Sequence, residues 1–290
     1  MGTCSTKTSF PTDANGDVKT QITMPRGKTT GTPRAQENTL DAMHLAFCDV
    51  SNCGMVEISV TSVKGICLCI HDMNSESTTG EKRPLSELTI QELNSLQYLQ
   101  TINGLNYNQS RPVPTFIQML DAFLRSDYHR DNHRLWVSLK DPTWVPIKTC
   151  CCYFCPEIGE TKCPSVSDLL FTLMHYSLPK GINWSDFLWV GSANPWVNKV
   201  LLRDFSRVDI LQKVIIADYA NIKAYAPCYK CQLDHLSLIK EFPKQMPAIA
   251  LETTEVNPSI VTDFRQAGVE VIMYGEDADK WKTWVEYVEI

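Results

Sequence analysis

With 290 residues, 43% of them apolar, the chain can bury one large α/β core or two smaller ones. Lys and Arg number 27 against 33 Asp and Glu, a net charge of -6. With no basic block as well, this excludes a protein that tracks nucleic-acid backbones. No apolar run nears the roughly 20 residues needed to cross a bilayer, and the N-terminus lacks the apolar core of a secretory leader. A reducing, cytoplasmic setting is expected, in which the 12 cysteines do not form a disulfide framework.

The first residues, Met1-Gly2-Thr3-Cys4-Ser5-Thr6, fit the pattern for N-myristoylation of Gly2, with Thr6 as the hydroxyl residue. One myristoyl chain binds membranes only marginally, at about 10⁴ M⁻¹, whereas two anchor stably. Cys4 stands where a palmitoyl group would add the second chain. Residues 1–20 are rich in Thr, Ser, Asp and Gly and read as a flexible tether. The expected location is the cytoplasmic face of a membrane, held there by acyl chains, or the cytoplasm where they are absent.

Beyond the tether, residues 21–290 alternate short apolar runs with helical patterns, the signature of βα units around a parallel sheet. Predicted strands are Gln21–Met24, Met55–Val60, Ile66–Ile70, Leu135–Leu139, Phe187–Val190, Lys213–Ala217, Ala248–Leu251 and Val269–Met273. Eight is the count that makes a TIM (β/α)8 barrel. Predicted helices are Asn38–Cys48, Thr89–Leu96 with Glu92 completing a capping box, Thr115–Leu124, and Pro258–Gln266 stopping at Gly268. The stretch from Pro146 to Pro164 reads as irregular. In such barrels the reacting groups lie at the C-terminal strand ends and the following loops. That places Arg26, Glu57, His71 and Lys140 as candidates from the first four predicted strands.

These positions carry a resemblance to the glycerophosphodiester phosphodiesterase family, of the phospholipase-C-like barrel type. The family's first strand ends in His-Arg-Gly and its first helix opens with Glu-Asn-Thr-Leu. Here they read Pro25-Arg26-Gly27 and Glu37-Asn38-Thr39-Leu40. The family's Glu-x-Asp is Glu57-Ile58-Ser59, and its His-Asp with a downstream Thr-Thr is His71-Asp72 with Thr78-Thr79. After Pro114-Thr115, the acid two residues before a Lys becomes Ser138 before Lys140. The segments Leu188–Asn194 and Phe242–Leu251 are similar to the eukaryotic lysophospholipase-D-type branch. The family's Gly-rich closing strand has no counterpart before Ile290, so incomplete closure at the C-terminal end is expected.

The resemblance implies hydrolysis of a phosphodiester by a divalent cation, Mg²⁺ or Ca²⁺, on three carboxylates. Two histidines would exchange protons, and Arg26 and Lys140, with Glu37, would hold the phosphate. Glycerophosphodiesters or lysophospholipids are the implied ligands. His71 keeps one proton-transfer role, but Pro25 has no proton to give. Of the metal ligands only Glu57 remains, Ser59 and Ser138 being neutral hydroxyls. The expectation is a phosphoric diester hydrolase fold with a degenerate site and impaired catalysis. A salt bridge from Glu57 to Lys140 or Arg26 would be the cation-free remnant. One alternative is an active enzyme with a rearranged metal shell drawing on Glu252 or Asp141. The other is a membrane-tethered interaction scaffold.

Two further groups stay open. Cys150, Cys151, Cys152, Cys155 and Cys163, together with Cys228 and Cys231, suit a thiolate zinc site, palmitoylation, or a cysteine-tolerant surface loop in a reducing cell. Trp184, Trp189 and Trp196 suit either a groove for lipid tails or packing.

Overall fold

In the computed structural model the described residues are 21–140, 163–192, 195–207, 213–216, 248–253, 258–266, 268–274, 285 and 287–289. The strands are β1 (Gln21–Pro25), β2 (Cys53–Val63), β3 (Ile66–Leu68), β4 (Gln97–Tyr98), β5 (Thr101–Ile102), β6 (Leu105–Asn106), β7 (Arg111–Pro112), β8 (Arg134–Lys140), β9 (Leu188–Gly191), β10 (Lys213–Ile216), β11 (Ala248–Glu252), β12 (Glu270–Tyr274) and β13 (Tyr287–Glu289). The helices are α1 (Leu40–Asp49), α2 (Glu76–Thr79), α3 (Ile90–Asn94), α4 (Phe116–Arg125), α5 (Pro164–His175), α6 (Trp184–Phe187), α7 (Pro195–Arg207) and α8 (Pro258–Gln266).

Successive side chains of a strand point to opposite faces. Thus Val56, Ile58 and Val60 of β2 pack outward with Leu135, Val137 and Leu139 of β8 against helices α1, α4, α5 and α7. The alternate residues Met55, Trp136 and Trp189 gather inside with Ala248, Ala250 and Ile272. Burial on both faces is why these strands read as near-continuous apolar runs.

The helices expected from Thr89 and Thr115 start at those caps, whereas the first, expected from Asn38, begins at Leu40 because Asn38 takes a left-handed φ of 55°. Thr39 caps α1 by accepting the Ala42 N–H, and capping boxes Thr89/Glu92 and Thr115/Gln118 open α3 and α4. Helix α4 buries Phe116, Met119, Leu120 and Phe123 on one face. Helix α5 lies outside the predicted set, although its Pro164 at the first turn is a recognised start signal.

Seven predicted strands lie in a parallel sheet in the order β1, β2, β8, β9, β10, β11, β12, and an eighth, unpredicted strand, β13, joins β12 to β1. The eighth prediction, Ile66–Ile70, needs correction. Its residues 66–68 form β3, which pairs antiparallel with β2 as a hairpin outside the ring. The second strand pairs directly with β8 instead, and the ring's eighth strand is β13, between β12 and β1, where Gln21–Thr23 face Tyr287–Glu289. The C-terminal end, where incomplete closure is expected, thus carries the shortest strand of the ring, 3 residues long. Residues 1–20 lie outside the described set.

Candidate functional site at the mouth of the barrel

The site begins where β1 leaves the sheet. Pro25 pairs with Glu57 and ends the strand. Arg26 and Gly27 then take positive φ values of 55° and 82°, and the chain turns over the first helix, with the Lys28 N–H bonded to the Ala42 carbonyl at 2.9 Å. A Cβ at Gly27 would lie 2.6 Å from the Ala42 carbonyl carbon, so the turn requires glycine. The Asn38 N–H bonds to the Arg26 carbonyl at 2.9 Å. Arg26 Nη1 in turn donates to Glu37 Oε2 at 2.9 Å.

With β1 gone, one edge of β2 is exposed above Glu57. Asn38 Oδ1 accepts the Ser59 N–H at 2.8 Å, and β3 covers Thr61–Val63 by antiparallel pairing. That hairpin carries His71 to the mouth. Thr61 Oγ1 donates to the Ile70 carbonyl at 2.9 Å, Tyr98 Oη donates to the Cys69 carbonyl at 2.7 Å, and the Cys69 N–H meets the Pro114 carbonyl at 2.8 Å. The two residues before His71 are thereby pinned by three hydrogen bonds, and the imidazole is held by its backbone rather than by a barrel strand. Gln36, buried at 2% exposure, ties the same corner together by donating to the Leu99 and Gln109 carbonyls.

His71 Nδ1 lies 2.6 Å from Asp72 Oδ1. An ionised carboxylate only accepts, so Nδ1 carries the proton and Nε2 keeps a lone pair. Burial, then the positive charges of Lys140 and Arg26, lower the His71 pKa, and Asp72 offsets only part of this. The ring is neutral at pH 7. Burial also works against the Arg26 charge, but Glu37, by charge and hydrogen bond, with Glu57 and Asp72 beyond it, pushes its pKa up.

Lys140 ends β8, and its Nζ stands 3.8 Å from Glu57 Oε1, with side-chain exposures of 25% and 11%. Between them lie Ser59 and Ser138, directly paired in the β2–β8 register. Ser59 is fully buried and its hydroxyl has no hydrogen-bond partner. The fold therefore brings Arg26, Glu37, Glu57, His71 and Lys140 near one another. Two placements differ from those expected. Glu57 lies in the middle of β2 rather than at its end, and His71 follows a hairpin outside the ring. Asn38, which braces the site, was not singled out by sequence, where it reads only as part of a helix opening.

A divalent cation prefers several anionic oxygens. Among the described residues no three His, Cys, Asp or Glu side chains group to hold a metal. The donors on the adjacent rung, Ser59 and Ser138, are neutral hydroxyls, and the carboxylate below them already faces an ammonium group. This donor set does not fit such an ion. Glu252 ends β11, where its backbone pairs with Tyr274, and Asp141 lies outside the described residues, as do Gly2 and Cys4.

Cys150, Cys151, Cys152, Cys155, Cys228 and Cys231 also lie outside the described set, while Cys163 is buried in the helix-side core. For two of the three tryptophans the outcome is packing: Trp189 is fully buried inside the ring, and Trp184 packs at tilted angles against Tyr176 and Phe187, while the Trp196 side chain lies outside the described set. No helix of the described residues is long and apolar enough to cross a membrane.

No protein-family model matches the chain, and no curated protein matches its sequence. Solved structures do. A phosphodiesterase from Oleispira antarctica in complex with its product sn-glycerol-3-phosphate superposes with a TM-score of 0.62 at 19% identity, covering 93% of this chain and 92% of the other. A protein from Galdieria sulphuraria described as a glycerophosphodiester phosphodiesterase gives 0.63 at 15% identity, over 93% and 92%. One from Silicibacter pomeroyi, described likewise, gives 0.63 at 16%, over 93% and 89%. At these identities the likeness is one of architecture, and on it the chain has the barrel fold of the glycerophosphodiester phosphodiesterases.

Proposed function

We propose that this chain is a glycerophosphodiester phosphodiesterase-like protein that binds a lipid-derived phosphodiester at the barrel mouth and hydrolyses it poorly or not at all. The ligand class is a glycerophosphodiester or a lysophospholipid headgroup. The supporting observation is the convergence of Arg26, His71 and Lys140, from three separate segments, at one end of the ring. Arg26 and Lys140 are cationic donors for phosphate oxygens. The Nε2 lone pair of His71 can take a proton.

Impairment follows from the missing groups. Pro25 stands where a second proton-transfer group is needed, and losing one general acid or base lowers rates about 10²–10⁴-fold. The acylated N-terminus on Gly2 and Cys4 would bring the mouth to its lipid substrate at a membrane face.

The test is calorimetric titration with sn-glycerol-3-phosphate and glycerophosphocholine, beside a hydrolysis assay on glycerophosphocholine and lysophosphatidylcholine with Mg²⁺ or Ca²⁺. Binding with turnover no faster than that of His71→Ala supports the proposal. Brisk turnover lost in His71→Ala favours instead an active hydrolase with a rearranged site, a second reading that rests on the His71–Asp72 pair and on Glu252 at the end of β11. Absence of any binding leaves the barrel as a tethered interaction scaffold.

A further inference from the structure

Resting on that proposed ligand class, we infer that the site recognises its phosphate without a divalent cation, the Lys140 ammonium standing where the dication would otherwise be needed. The argument is one of charge and donors along two paired strands. On the inward faces of β2 and β8 the rungs run Glu57 beside Trp136, Ser59 beside Ser138, and Thr61 beside Lys140. Glu57 is the one carboxylate in this set, and Lys140 Nζ lies 3.8 Å from it. A dication entering here would meet two neutral hydroxyls, one carboxylate already shared with an ammonium group, and the nearby Arg26.

Among the described residues two further carboxylates near the mouth are also engaged, Glu37 by Arg26 at 2.9 Å and Asp72 by His71 at 2.6 Å. A phosphate fits this arrangement better. Its oxygens accept from an ammonium, a guanidinium and a hydroxyl, the geometry of charge-assisted binding. Ser59 supplies the hydroxyl. Its Oγ is fully buried with no partner, and a buried donor without an acceptor is costly unless a ligand or water meets it. The ligand class is therefore a small anionic phosphate ester bound by donors alone.

The experiment is calorimetric titration of the full chain with sn-glycerol-3-phosphate, first in EDTA and then in excess Mg²⁺ or Ca²⁺. Affinity is expected to agree within about twofold in the two conditions. Lys140→Ala is expected to weaken binding about tenfold or more, the scale of one lost charged hydrogen bond, and Lys140→Arg to restore most of it. Ser59→Asp combined with Ser138→Asp should weaken binding in EDTA and make it depend on added cation. Circular dichroism of each variant separates loss of ligand from loss of fold. A tenfold or larger gain on adding Mg²⁺ or Ca²⁺ to the unaltered chain would overturn the inference while leaving the proposed ligand class in place. So would Lys140→Ala binding as tightly as the unaltered chain. Failure to bind under every condition would overturn both.

Discussion

Asn38 Oδ1 accepts the backbone N–H of Ser59 at 2.8 Å, joining the opening of the first helix to the strand that carries Glu57. The bond answers a specific need. The first strand ends at Pro25, so the next strand loses its partner on that edge, and a buried N–H left unpaired is costly. Asn38 also holds φ at 55°, a conformation that asparagine tolerates better than most residues. Asn38→Ala should therefore cost about 2–4 kcal/mol, combining the unsatisfied donor with left-handed strain. Urea denaturation measures it, and a loss below about 1 kcal/mol would refute the bracing role.

Two histidines bias stability with pH. Burial, then Lys140 and Arg26, lower the pKa of His71, and burial lowers that of His133 despite Asp131 and the Cys53 backbone. A histidine with a depressed folded-state pKa binds its proton more readily when unfolded. Its contribution is complete above the unfolded value of about 6.5 and is lost as pH falls from there through the folded value. Melting temperature should thus drop between pH 7 and pH 5, less steeply in the His71→Asn, His133→Asn double variant. An unchanged slope in that variant would count against both assignments.

Gly27→Ala tests the turn that delivers Arg26. The added methyl would sit 2.6 Å from the Ala42 carbonyl carbon at φ +82°. The clash is with backbone, so no side chain can swing aside. The expected cost is about 2–4 kcal/mol, with phosphate affinity falling as Arg26 and Glu37 are displaced. Thermal unfolding and titration calorimetry read the two effects separately.

At the opposite end of the barrel Arg134 Nη1 donates to Glu270 Oε2 at 3.2 Å, with side-chain exposures of 14% and 8%. The guanidinium also lies 4.9 Å over the Trp189 ring. Removing one partner takes this ion pair away from a buried charge. Arg134→Met should cost about 3–5 kcal/mol, and adding Glu270→Met should recover much of it. A double-mutant cycle without coupling would contradict the pairing. Ligand binding at the mouth should stay unchanged in the double variant.

Mass spectrometry of the chain expressed in a eukaryotic host should find myristate on Gly2 and a thioester-linked palmitate on Cys4. Gly2→Ala should release the protein from membranes, because one remaining acyl chain binds only marginally. A free or acetylated Gly2 would remove the tether from the functional proposal.

Much of this molecule is legible in its sequence because the relevant forces are local. Alternation and apolar runs mark seven ring strands, and the Thr-x-x-Glu spacing at Thr89 places one helix start. Set beside the family the sequence resembles, the residue types at positions 25, 59 and 138 carry the expectation of a degenerate site. Strand pairing is not local. Ile66–Ile70 is apolar enough for the ring, yet a two-residue turn at Lys64-Gly65, both at positive φ, returns it antiparallel onto β2. The strand that joins the last seam, Tyr287–Glu289, is too short to announce itself. Nor does spacing in the chain say that Ser59 stands opposite Ser138, that Lys140 reaches Glu57, or that a side chain from the first helix opening completes the edge of the second strand. Those relationships arise from register, which is set only when the whole ring assembles and each buried backbone group finds its partner.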